Sequence, residues 1–301
     1  MSFGEYHMRF ASTLRGLLPL ALLALPAAAQ TGLPGMPADT SSNKGMEYAE
    51  LAFRWAHVLF SILWIGHLYF FNFVQGGFEG KLDGPTKKIV VPELRPRALF
   101  WFRWGAAWTW LTGFGLLGLT YYMGLKGSWF EGGAEGKGMA YMMVLATVLV
   151  IPGIYDMAAK ALGAWDKKTW IVGCVLIAAG AALMHFVGRF SARALFIHVG
   201  AMFGTAMAMN VWMRIWPAQR KIITAIKNGE KPDDALVKLA GGRSRTNTYL
   251  SVPLLLMMVS NSQSATLGGG MTAFVTLLVI VAIGFAVANL LFRKAAQVVG
   301  F

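Results

Sequence analysis

Four histidines lie inside apolar runs: His57, His67, His185 and His198. An imidazole in hydrocarbon is costly and is usually kept for a function. Two imidazoles from facing helices, around an apolar slot, make a pattern suited to a b-type haem. The first two histidines share one stretch, RWAHVLFSILWIGHLYFFNF, which also carries Arg54 and Asn72. They stand ten residues apart on a helix rising about 1.5 Å per residue, so His67 is about 15 Å deeper than His57 and points about 80° away. They cannot serve one iron.

The elements that must position these side chains follow from the apolar runs. Of 301 residues, 56% are hydrophobic and 14% charged. Several runs reach the ~20 residues that a helix needs to cross a bilayer. The expected fold is all-α: a polytopic membrane helix bundle of about seven spans over residues 46–295. The spans are expected near Tyr48–Val74, Ala98–Met123, Met139–Tyr155, Trp170–Gly188, Ala194–Trp216, Thr248–Leu267 and Met271–Phe292. Residues 1–29 read as a cleavable secretory signal, with Arg9 and Arg15 before a short apolar core and Ala27–Ala29 before Gln30. Retention of that segment would make eight spans. Residues 30–45 read as a flexible periplasmic leader, and 296–301 as a cytoplasmic tail.

The net charge of +13 does not point to nucleic acid, because no basic recognition module is present. Lys and Arg collect instead in alternate connections: Lys81–Arg97, Lys160–Lys168, Arg220–Arg245 and Arg293–Lys294. By the positive-inside rule these face the cytoplasm, which puts the mature N-terminus in the periplasm of a bacterial inner membrane and the C-terminus inside.

This orientation assigns depths. His57 lies about 9 Å in from the outer end of its helix at ~1.5 Å per residue. His185 and His198 flank the turn holding Arg189 and Arg193, so they stand at similar depth near the outer face. Three histidines therefore share an outer layer, and His57, His185 and His198 are the expected ligands of a non-covalent haem b iron, any two being axial. Arg189, Arg193 and Arg54 could pair with haem propionates. Another metal, or histidines that only hydrogen bond or relay protons, fits the same depths. His67 is alone at its level unless Met207, Met209 or Met213 joins it, and reads as a hydrogen-bonding or secondary position. No CxxCH occurs, so covalent haem attachment is excluded.

The sixth helix turns polar at SNSQS, where Ser260, Asn261 and Gln263 could face a substrate or water cavity. The same residues could equally be a periplasmic loop. Gly200, Gly204 and Ala208, and Gly105, Gly113, Gly115 and Gly118, read as close-packing seams. Cys174 reads as packing.

The runs RWAHVLFSILWIGHLYFFNFV and FWFRWGAAWTWLTGFGLLGL, joined by a basic loop, resemble the membrane domain of bacterial membrane-bound urate hydroxylases, the urate oxidase N-terminal domain family. The resemblance covers about residues 46–295. It implies a membrane oxidoreductase that hydroxylates urate and passes electrons to cytochrome c, with His57 and His67 as the matching histidines. Family members known for urate chemistry carry a C-terminal cytochrome c domain. Its absence here points to a separate cytochrome c, or to a haem-bearing or scaffolding subunit of a larger respiratory-type membrane complex. A metal or solute transporter is the further alternative.

Overall fold

The computed structural model describes residues 44–122, 142–260 and 268–298. These form seven helices and no strand among the described residues: α1 Lys44–Lys81, α2 Gly84–Leu117, α3 Met142–Leu162, α4 Lys167–Val187, α5 Ala192–Asn228, α6 Asp234–Val259 and α7 Gly270–Ala295. The signal segment and nearly all of the leader lie outside the described residues. Helices α1, α3, α4, α5 and α7 are long and apolar enough to cross a membrane. Helices α2 and α6 are long but carry more polar residues.

The bundle is built around α5. Leu195, Phe196, Val199, Met202, Phe203 and Met207 of α5 are all buried. A helix that is apolar on every side belongs in the interior. The surrounding helices turn apolar side chains outward, including Trp55 and Ile62 of α1, Val175 of α4 and Ile283 of α7. Such an outer surface suits lipid, which solvates it without the cost water would impose.

Helices α1 and α2 pack antiparallel through glycines. The bare faces of Gly105, Gly113 and Gly115 meet Trp64, His57 and Phe53, in reversed order along α1. A methyl group added at Gly115 would lie 2.4 Å from the Phe53 ring, so a side chain there would force the helices apart. The expected α2 seam is therefore real for three of its four glycines, while Gly118 faces open space.

Two connections are more ordered than charge alone suggests. Helix α2 begins at Gly84 rather than Ala98. Asp83 caps it by accepting from the Thr86 N–H at 2.8 Å, and Pro85 occupies its first turn, where a missing N–H costs nothing. Pro92 and Pro96, which would ordinarily break a helix, are carried within it. Arg95 anchors this stretch to Glu79 and to Gln219. The basic connection 217–247 is also mostly helical. α5 continues to Asn228, stops at Gly229 in the left-handed region (φ 78°), and α6 starts after the Asp233 cap. Ile222, Ile226, Leu236 and Leu239 pack together in this hairpin at helical spacing. α6 is described to Val259, with Ser260 as its cap, and the remainder of the span expected to Leu267 lies outside the described residues.

Four of the long helices contain a single π-helical segment: Phe70–Gln75 in α1, Leu145–Val150 in α3, Leu183–Val187 in α4 and Asn210–Ile215 in α5. A fifth, Gly118–Tyr122, continues α2. Each widens the turn and re-aims the side chains that follow. Asn72, Tyr121, Tyr122, His185, Asn210 and Arg214 all lie in such turns.

Candidate functional site

His57 projects from α1 into the α1–α2 contact. Its Nδ1 stands 2.9 Å from the Thr109 carbonyl oxygen and 3.2 Å from Thr112 Oγ1. A backbone carbonyl can only accept, so Nδ1 carries the proton and Nε2 keeps its lone pair. The ring lies against Gly113, where an added methyl would come within 2.9 Å of Cε1. The imidazole is thus fixed in tautomer and in plane by a neighbouring helix, as metal-binding or proton-accepting histidines are.

Beside His57 is a cavity of about 200 Å³ between α1, α2, α5 and α6. His57, Ser61 and Trp64 form one wall, Trp110, Gly113 and Phe114 the next. Gly200, Ala201, Gly204 and Thr205 make the α5 wall, and Leu254 and Met258 close it from α6. The absence of bulky side chains along α5 leaves a flat face. Gly204 has nothing within 4 Å of where a Cβ would be, whereas Gly200 is in contact with Met258 and Leu254. The Trp110 indole N–H donates to Thr205 Oγ1 at 3.1 Å and so holds the aromatic wall to α5. At the rim stands Arg54, 45% exposed and ion-paired with the buried Glu50.

The other histidines are differently placed. His198 is fully buried, with Nδ1 2.7 Å from the Ala194 carbonyl and Nε2 3.4 Å from the Tyr122 hydroxyl. Tyr121, Tyr122 and Phe190 surround its ring. It does not line the cavity, but Tyr121 does, and the Tyr121 ring stands edge-on to His198 at 5.3 Å. His185 packs face-on against Phe274 of α7 at 5.4 Å. His67 donates from Nδ1 to the Leu63 carbonyl of its own helix at 2.6 Å. Arg193 lies by the Tyr121 ring, 5.9 Å from its centre. Arg189 occupies the left-handed region (φ 48°) in the α4–α5 turn and is exposed. Ser260 donates to the Met257 carbonyl of α6, and Asn261 and Gln263 lie outside the described residues.

Of the three outer-layer histidines, one therefore faces open volume, one is enclosed by aromatic rings and one packs on α7. Among the described residues no group of three His, Cys, Asp or Glu side chains is placed to hold a metal ion. The donors on the cavity wall fit a group held through one imidazole, with the Met258 thioether on another wall as a further soft donor. They do not present His57, His185 and His198 as a set.

Sequence reasoning passed over Thr109 and Thr112, which orient His57, and read Gly113 only as part of a close-packing seam. It also passed over Tyr121 and Tyr122. The signal available was the TWLTG segment on α2, with two threonines three residues apart and a glycine directly after. Thr112 bonds back to the Trp108 carbonyl at 2.6 Å, a common way for a hydroxyl to be satisfied within a membrane helix.

A second buried polar cluster joins α3, α5 and α6. Asp156 takes a two-pronged ion pair from Arg214 and a contact from Arg243 at 2.9 Å. Arg243 is fully buried and also donates to Asn210 Oδ1 and the Asp156 carbonyl. Asn210 donates to Asn247, and Asn247 to the Met207 carbonyl. These are structural amides and charges that satisfy one another except at the Arg243 Nε, which is buried without a hydrogen-bond partner.

Neither a curated protein nor a solved structure matches the chain. A family model described as urate oxidase N-terminal matches residues 43–299, which includes all seven helices and the whole cavity wall. The chain therefore belongs to the urate oxidase N-terminal family.

Proposed function

We propose that this protein is a urate-hydroxylase-like redox protein of a bacterial inner membrane, working in the cavity beside His57 and delivering electrons to a cytochrome c. The observation that carries the reading is His57 itself: a histidine of a urate oxidase N-terminal chain, locked with a bare Nε2 on the wall of a flat cavity. The proposed arrangement has seven spans with the mature N-terminus periplasmic. It rests on the alternation of basic connections and sets the Arg54 end of the cavity toward the periplasm.

Urate is a planar anion at neutral pH. Trp110 and Phe114 offer aromatic faces on which such a ring can stack, and Arg54 at the rim offers the countercharge. A hydroxylation that releases electrons must take its oxygen from water. Urate and one water then give 5-hydroxyisourate, two protons and two electrons, and two ferric cytochromes c each accept one. In the proposed reaction both protons pass to solvent water, and the Thr109 carbonyl keeps the His57 ring in position through Nδ1–H.

Haem b is the proposed redox group. His57 would hold it through Nε2, and Arg193 would pair with one of its carboxylates. When bound, it supplies one-electron redox chemistry between substrate and acceptor.

The purified protein in detergent, with urate and ferric cytochrome c, tests this. Urate-dependent cytochrome c reduction is expected, along with a reducible Soret and α-band. His57→Ala should remove the bands and lower turnover by about 10²-fold or more, through loss of the redox group. His185→Ala should keep both. Bands without turnover of urate or a related purine would favour a haem-bearing subunit, and absence of bands would remove the haem.

A further inference from the structure

At the opposite end of the bundle from Arg54, a recess of about 400 Å³ opens between α1, α6 and α7. Asn72, Gly77, Arg245, Asn289, Phe292 and Arg293 line it, and no carboxylate does. We propose that this recess binds a phosphate group, most simply that of an anionic phospholipid.

Arg245 carries the argument. Its guanidinium stands over two aromatic rings, with Cζ 4.7 Å from the centre of Trp165 and 4.6 Å from that of Phe292. The rings attract the cation but offer its N–H donors no oxygen to pair with, so those donors remain for a ligand. No acidic side chain pairs with Arg245 or Arg293 among the described residues. The Arg245 Nε is buried without a hydrogen-bond partner. An unmatched donor beside an unpaired cation is costly, and an anion resolves both deficits at once.

A further donor is ready-made. The Tyr249 hydroxyl donates to Asn289 Oδ1 at 3.3 Å, which fixes that amide and leaves Nδ2 free. Arg245, Arg293 and the Asn289 amide thus offer donors from two helices around one recess. Tetrahedral phosphate oxygens accept from several directions and match such a set better than a planar carboxylate does. Arg293 and Lys294 end α7 where Phe292 still packs on apolar rings, the level at which lipid headgroups meet a membrane protein. Gly77 forms an open floor, with nothing within 4 Å of its Cβ position. The recess is separate from the His57 cavity and needs no part of the proposed redox reaction.

The test uses the full chain in a neutral detergent, with short-chain phosphatidylglycerol, short-chain phosphatidylcholine and inorganic phosphate titrated separately. Binding is read by native mass spectrometry and phosphorus NMR line width. Phosphatidylglycerol should bind more tightly than phosphatidylcholine. Arg293→Gln, at an exposed position, should weaken it roughly fivefold, the effect of one interfacial cation. Arg245→Gln should weaken it further, and Arg245→Lys should restore part of the loss. Inorganic phosphate that competes for the recess would support the site and identify a soluble anion as a second source. Its failure to compete, with the lipid still bound, would assign the site to lipid. Equal binding of the two lipids, or unchanged binding by folded Arg293→Gln and Asn289→Leu proteins, would overturn the proposal.

Discussion

At the residue scale, His57 is defined by what holds it rather than by its exposure. His67 and His198 spend Nδ1 on carbonyls of their own helices. His57 spends it on a carbonyl of α2. Its orientation therefore depends on how closely α1 and α2 approach. Gly113→Ala tests this, because the new methyl would meet the imidazole at 2.9 Å. The expected result is a urate-dependent turnover reduced about as far as in His57→Ala, with little loss of fold, since a misplacement of about 1 Å can cost 10²-fold in rate. Wild-type turnover in folded Gly113→Ala protein would show that the ring position does not matter to the reaction.

At the element scale, α2 does two jobs with two different halves. Its second half supplies the Thr109 carbonyl, Gly113 and the aromatic wall, and the π turn after it supplies Tyr121. Its first half lies outside the apolar stretch and is fixed by its cap and by Arg95. The Asp83 carboxyl lies below the ordinary carboxylate range because the Thr86 side chain and N–H hydrogen bond its charged form. A depressed carboxyl contributes stability that is complete above its unfolded value and lost as pH falls through the folded value. The first turn of α2 should therefore keep its hydrogen-exchange protection at neutral pH and lose it in acid, while Asp83→Ala should show the unprotected behaviour at both. The loss is expected to stay local, because Arg95 holds the next turns to Glu79 and Gln219.

At the scale of the whole molecule, the Asp156–Arg214–Arg243 cluster ties α3, α5 and α6 into one body. Breaking one side of a buried pair leaves the other charge without compensation, at a cost of about 3–5 kcal/mol. Asp156→Leu should lower the thermal unfolding midpoint markedly, because it leaves both Arg214 and the fully buried Arg243 without a carboxylate, whereas Arg243→Met should cost less, because Arg214 still pairs with Asp156. The double replacement should recover part of the Asp156→Leu loss, because no buried Arg243 charge then remains. Additive losses in the double variant would mean that the cluster is not coupled. Asn210 and Asn247 extend the same network to the α5 backbone at Met207, on the helix that also forms the flat cavity wall. Cavity shape and bundle integrity thus rest on the same helix.

The sequence by itself determined the class of the protein and most of its elements. Runs of about 20 apolar residues must be helical in lipid, because every backbone N–H and C=O has to be satisfied within the segment. The family followed from the same residues, Arg54–Val74 and Phe100–Leu119. Charge, however, was read as loop where α2 and α5 continue as helix: Pro92, Pro96 and the Lys and Arg of 217–228 mark the end of the apolar stretch, not the end of the helix. Only the tertiary structure decided which histidine faces open volume. Depth along a helix follows from counting residues, but azimuth does not, since each π turn rotates all that follows and each neighbouring helix takes its own share of the surface. His185, His198 and His57 are alike in sequence setting. Phe274 covers the first, a ring of Tyr121, Tyr122 and Phe190 encloses the second, and the bare faces of Gly113 and Gly204 leave room beside the third.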